Sequence, residues 1–197
     1  MGYTSDRDFT DYVHEHLAVD LIYRPLNWVP GNVGAATQRN VDIANGVDYF
    51  LIDTERTEIV TTQERFRESK FAPYTDFTIR YERPYNMHEE RRLSEYYKLD
   101  AQYFVYGVVN ASKANKEQAT DFIKYALMDI PKLKRLIDMR KIVVDENVRY
   151  TCRRVGDTIH CPITENYDHS STFVPVDIQM LLDLYPDTVL VQRGYNA

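Results

Sequence analysis

The amino-acid sequence predicts an α/β fold built on a central mixed sheet, and three observations predict it. Gly46 to Arg67 holds two strand-like runs, Tyr49-Phe50-Leu51-Ile52-Asp53 and Ile59-Val60-Thr61-Thr62, joined by a polar turn from Thr54 to Glu58. Asp76 to Glu82 alternates strictly, with Phe77, Ile79 and Tyr81 on one side and Asp76, Thr78, Arg80 and Glu82 on the other. Helical patterns precede and interrupt these strands, and Gln102 to Val109 reads as a fourth, largely buried strand.

Ser5 is placed to cap the first helix, with Asp8 three residues on. Phe9, Tyr12, Val13 and Leu17 form its apolar stripe, and Arg24-Pro25 marks its end. Asn27 to Asn45 contains Pro30, Gly31 and Gly34 without a period, so it reads as a long connection or a short helix near Ala35 to Arg39. Beyond the hairpin and the alternating strand, His88 to Lys98 suits a helix rich in Glu and Arg. Lys116 to Met128 suits another, through Phe122, Ile123, Tyr125 and Ala126. Pro131 opens a basic helix over Lys132 to Lys141. A hairpin turning at Gly156-Asp157, a helix from Pro175 to Leu184 and a strand from Thr188 to Gln192 complete the chain. The expected organisation is a core over residues 1–128 and an extension over 129–197 packed on the same domain.

With 44% hydrophobic and 27% charged residues among 197, the composition is that of an ordinary soluble globular protein. A net charge of −6 argues against a generally basic nucleic-acid coat, while leaving room for a local basic groove. No run approaches the roughly 18 apolar residues of a membrane span. The N-terminus lacks a secretory apolar region, and Asp6 breaks a myristoylation motif, so an intracellular, cytoplasmic protein is expected.

The Gly46 to Arg67 stretch carries the candidate chemistry. Asp48 opens a run that is otherwise apolar, and an ionised carboxylate there needs a partner. Gln63, Arg65 and Arg67 share one strand face, with Glu64 pointing the other way. Charged strand ends are commonly solvated edges with weak ion pairs. The alternative is a site for a hard cation and a phosphate, in which carboxylates on adjacent strands hold Mg²⁺ and a neighbouring guanidinium stabilises phosphate charge. Glu15 on the first helix could reach such a site, and Asp42 is a second-choice ligand. His14 and His16 point to different faces and make no helical metal pair. Lys132, Lys134 and Arg135 are either a solvated helix face or a contact to phosphate backbone.

Counting back from the Gly156-Asp157 turn sets Cys152 opposite Cys161 in a non-hydrogen-bonded pair, a geometry that permits a disulfide. Two reduced packing cysteines are the other reading, the default in a reducing cytosol. Zinc with His160 has poor ligand geometry.

The order helix, strand, strand, strand, helix, strand, with Val47-Asp48 and then Gln63-Glu64-Arg65, resembles the PD-(D/E)XK, or restriction-endonuclease-like, nuclease superfamily. The longer runs Gln63 to Arg67, Asp76 to Arg80 and Tyr103 to Gly107 are similar to nuclease-like proteins of archaeal viruses, phages and plasmids. The resemblance covers roughly residues 5 to 128. It implies an αβββαβ core and a DNA endonuclease or resolvase-like phosphodiesterase dependent on Mg²⁺ or Mn²⁺. Asp48 and Gln63, with Glu64, would be metal ligands, Glu15 the first-helix acid, and Arg67 and Arg80 contacts to DNA. A homodimer would set two sites about a two-fold axis. Gln63 stands where the family carries an acid, and Arg65 where it carries lysine. A guanidinium holds its proton and so cannot act as a base. The same resemblance therefore also accommodates a catalytically inactive nucleic-acid-binding or assembly protein.

Overall fold

In a computed structural model describing residues 3–32, 46–89 and 92–195, the protein is a mixed α/β structure around a six-stranded sheet. The chain starts with helix α1 (Tyr3–Val13), continues without a break into a π-helical segment (His14–Tyr23), and ends that arm in a short 3₁₀ turn (Arg24–Leu26). Helix α1 is already running at Tyr3, so Ser5 lies within it rather than at its cap. Phe9, Val13 and Leu17 are buried, as their stripe requires.

The large sheet takes β1 (Trp28–Pro30), β2 (Tyr49–Asp53), β3 (Glu58–Arg67), β5 (Tyr103–Val109), β6 (Phe122–Asp129) and β12 (Val189–Arg193), in that spatial order. β2 and β3 form the expected antiparallel hairpin, while β3 and β5 run parallel, which makes the sheet mixed. The strand β4 (Asp76–Glu82) has the expected limits but leaves this sheet. It joins β10 (Thr164–Glu165) and β11 (Thr172–Asp177) in a second, three-stranded sheet.

Three helix assignments change. Phe122 to Met128 is strand, not helix: consecutive apolar residues satisfy either period, and pairing with β5 on one side and β12 on the other decides for strand. Among the described residues of His88 to Lys98, regular helix is confined to α2 (Glu95–Lys98). Pro175 lies inside β11, and the helix α4 (Ile178–Leu184) starts later, where the Asp177 carboxylate accepts the Met180 N–H at 2.8 Å. The helix opened by Pro131 is α3 (Ile130–Asp138), capped in the same way by Asp129, which accepts the Lys132 N–H at 2.9 Å. Ala35 to Arg39 and Asp42 lie outside the described residues.

A third sheet comprises β7 (Ile142–Val144), β9 (Thr158–Cys161) and β8 (Arg153–Val155). Gly156 turns its hairpin at φ +61°, and the register Val155 to Thr158 matches the count made from sequence. Residues after 129 thus supply β12 to the large sheet and β11 to the second one, so they complete the core.

The large sheet is covered on both faces. Phe9, Val13, Ile22 and Tyr23 pack on Leu51, Val60, Phe66, Val105 and Leu127. On the other face Phe104, Tyr106, Val108 and Met128 meet Phe77, Ile79, Val174 and Val176, with Leu133 and Leu181 from the helices. Full burial of one such side chain contributes about 1.5–3 kcal/mol. No helix among the described residues is long and apolar enough to cross a membrane.

Candidate functional site

The period of β3 sends Thr62, Glu64 and Phe66 toward the helical arm, and Gln63, Arg65 and Arg67 toward the second sheet. Two polar constellations result, one on each face, separated by the thickness of the strand.

On the helical side the side chain of Glu64 is fully buried. Its Oε1 lies 2.8 Å from Nδ1 of His14 and accepts a short hydrogen bond from the Tyr23 hydroxyl. His14 and Tyr23 are nine residues apart, about two and a half turns of α-helix, which would set them on opposite sides. The i→i+5 winding of the π segment takes about two turns over the same distance and brings both to one carboxylate. The His14 ring stacks on Tyr49 at 3.6 Å between centroids, and the Tyr49 hydroxyl donates to Asp11. Burial alone would lower the His14 pKa, but the Glu64 carboxylate overcomes it and holds the imidazole above its ordinary value. Burial, and then the same carboxylate, push both Tyr23 and Tyr49 well above the usual phenol range.

Asp48 sits at the end of this layer, just before β2. Its N–H donates to Thr62 O, its Oδ2 accepts the Glu64 N–H at 2.7 Å, and its Oδ1 accepts from Arg7 Nη1 at 2.8 Å. Arg7 Nε bonds Asp11 at 2.9 Å, so one guanidinium bridges a first-helix acid and the strand acid. Glu15, the first-helix acid expected from sequence, is exposed; Asp11, one turn earlier, takes the place beside Asp48 through Arg7.

On the opposite face Arg65 donates from Nη1 to Thr78 O at 2.5 Å and to Thr78 Oγ1 at 3.0 Å, and pairs with Glu95 at 2.6 Å. Arg80 reaches the same carboxylate at 3.1 Å. Burial would raise the Glu95 pKa, but Arg65 and Arg80 pull it below the usual carboxylate range. Arg67 donates to Thr78 Oγ1 at 3.3 Å and covers the Phe71 ring at 5.3 Å. Among the described residues it forms no ion pair with a carboxylate; burial and the neighbouring Arg65 both lower its pKa. Gln63 is buried, and its Oε1 has no hydrogen-bond donor among the described residues.

The expected ligand set is therefore divided. Glu64 points away from Gln63; His14 and Tyr23 engage its Oε1, while its Oε2 has no hydrogen-bond donor among the described residues, and Asp48 is held by Arg7 and a backbone N–H. Among the described residues no three His, Cys, Asp or Glu side chains group to hold an ion. As arranged, Asp48, Gln63 and Glu64 do not fit one shared divalent ion. On α3, Lys132 is tied to Asp187 O at 2.7 Å and Lys134 to Asp100 at 3.3 Å, while Arg135 is exposed. Cys152 and Cys161 face each other as free thiols with sulfurs 3.6 Å apart.

The sequence carries no local signal for the roles of Arg7, His14 and Tyr23. An α-helical period brings His14 to neither His16 nor Tyr23. No protein-family model, curated protein or solved structure matches the chain.

Proposed function

We propose that this protein binds nucleic acid through the guanidinium groups of Arg65, Arg67 and Arg80, on a nuclease-like plan whose cation position is filled by Arg7. The observation that carries the reading is Arg67: a half-buried cation beside Arg65 that forms no ion pair with a carboxylate among the described residues, offset by the Tyr106 hydroxyl and the attraction of Asp6. A phosphodiester oxygen suits such a cation, because guanidinium presents paired donors to phosphate. The first helix, the β2–β3 hairpin and the parallel β3–β5 pair support the αβββαβ plan; β4, in its own sheet, departs from it. In the Asp11–Arg7–Asp48 bridge, the charge a divalent ion would supply comes from the chain itself.

Fluorescence anisotropy with labelled single-stranded and duplex DNA over a salt series tests this. Wild type binds with a salt-dependent affinity, and Arg67→Ala weakens binding about tenfold and reduces the salt slope by about one. Absence of binding at low salt, or unchanged binding by Arg67→Ala, removes the reading.

A second reading, a metal-dependent phosphodiesterase acting on DNA as a homodimer, is favoured by the buried, donor-free Oε1 of Gln63, an oxygen of the kind Mg²⁺ or Mn²⁺ accepts. Cleavage of labelled DNA with Mg²⁺ or Mn²⁺ that disappears in EDTA and in Asp48→Ala would establish it in place of the first.

A further inference from the structure

The hairpin of β8 and β9 holds a feature that neither phosphate binding nor the Glu64 constellation uses. Its register ends at Arg153 opposite His160, and one residue further out Cys152, just before β8, meets Cys161 with the sulfurs 3.6 Å apart. Their surroundings differ. Cys161 is wholly buried in the core formed with Ile159, Val174 and Val176. Cys152 is half-buried and lines a cavity of about 150 Å³ with Pro73, Tyr74, Asp76, Tyr150 and Asp177; Tyr150 itself is largely exposed. Cys152 also donates to Pro175 O at 3.1 Å, and so ties the hairpin to β11.

We propose that Cys152 and Cys161 form a redox-active dithiol, in which Cys152 is the sulfur attacked from the cavity by a small hydroperoxide and Cys161 resolves the product into a disulfide. The Cys152 thiolate attacks the distal oxygen of hydrogen peroxide. The O–O bond breaks, the Cys152 sulfur becomes a sulfenic acid, and the departing hydroxide takes the thiol proton as water. The Cys161 sulfur then attacks Cys152, the S–O bond breaks, and the hydroxide released leaves as water with the Cys161 proton. Two thiols and one peroxide give one disulfide and two waters. Closing from 3.6 Å to a bond of about 2.05 Å is within reach of side-chain rotation, because opposed residues of a non-hydrogen-bonded pair already have their β-carbons close. The hydrogen bond to Cys152 and then burial raise the Cys161 thiol pKa, so Cys152, which lines the cavity, is the sulfur that meets peroxide first. The bond fastens β8 to β9 and withdraws the Cys152 donor from Pro175 O.

The test is intact-mass spectrometry of the reduced full chain after brief exposure to hydrogen peroxide and then N-ethylmaleimide. Wild type is expected to lose two hydrogen atoms and take up no alkyl group, and dithiothreitol should restore both thiols. In Cys161→Ser, dimedone should trap a sulfenic acid at Cys152, while Cys152→Ser should give no adduct. Wild type that still takes two alkyl groups, or that gains two oxygens on Cys152 with Cys161 alkylated, overturns the dithiol. A dimedone adduct on Cys161 in Cys152→Ser overturns the order of attack.

Discussion

His14 Nδ1 stands 2.8 Å from Glu64 Oε1, with both residues buried and fifty positions apart in the chain. The pair joins the helical arm to β3, the second strand of the hairpin. It makes stability depend on pH in a definite direction. Burial opposes the His14 charge, but attraction to Glu64 and the hydrogen bond to it prevail, with smaller help from Asp11 and Glu15, so the folded pKa lies above 6.5. A raised pKa gives stabilisation that is complete below the unfolded value and lost as pH rises through the folded one. Urea unfolding followed from below to above neutrality should show that loss, and His14→Gln should flatten it. An imidazole titration by NMR in which His14 protonates below 6.5 would contradict the assignment.

Arg7 bridges Asp11 and Asp48 from the first turns of the helical arm. Removing it takes away the charge-assisted hydrogen bonds that join the two carboxylates, a loss of about 1–3 kcal/mol. Arg7→Ala should therefore be less stable near neutrality than wild type, and should bind Mn²⁺ more tightly, since the two acids regain a use for an external cation. Urea unfolding checks the first half and calorimetric titration with Mn²⁺ the second. Equal Mn²⁺ affinity in the two proteins would mean that the guanidinium does not stand in for an ion.

What was legible in the sequence follows from which signals are local. The alternation of Asp76 to Glu82 depends on its own residues and survives to the residue, as does the cysteine register, which a two-residue turn dictates. The sheet to which β4 belongs is not local: its partner β11 lies about ninety residues onward, and nothing within Asp76 to Glu82 announces Thr172 to Asp177. Phe122 to Met128 carried no decisive period, so only its neighbours could settle it. In the candidate site, Asp48 and the common face of Gln63 and Arg65 were readable from strand geometry. The union of His14, Tyr23 and Glu64 was hidden, because a π winding carries no sequence period distinct enough to override an α-helical reading.

Glu95 receives both Arg65 and Arg80, and its position on α2 holds that helix against β4. Glu95→Gln keeps the shape and removes the charge. Two guanidiniums then lose one carboxylate partner in a partly buried place, at a cost of about 2 kcal/mol, below the ~3–5 kcal/mol of a fully buried pair because solvent screens some of it. Burial would raise the Glu95 pKa, yet Arg65 and Arg80 lower it. Its stabilisation is therefore present above the unfolded value and lost as pH falls through the folded one. In acid, then, wild type and Glu95→Gln should converge in stability. A gap that persists at acid pH would assign the effect to packing instead.

Gly107 lies in the middle of β5, opposite Phe66 on one neighbour and Tyr125 on the other. A β-carbon there would stand 2.7 Å from a ring carbon of Phe122 and 3.1 Å from one of Phe66. These two rings pack at 5.4 Å between centroids, inside the layer that seats the helical arm. Gly107→Ala must displace them, and overpacking of this kind costs about 1–3 kcal/mol. The expected result is a lower urea midpoint with an unchanged slope, because the folded state is strained rather than opened. Phe122→Leu in the same chain removes the ring that meets the new methyl group and should recover part of the loss. An additive double mutant would show that the close approach of Gly107 and Phe122 is not the source of the strain.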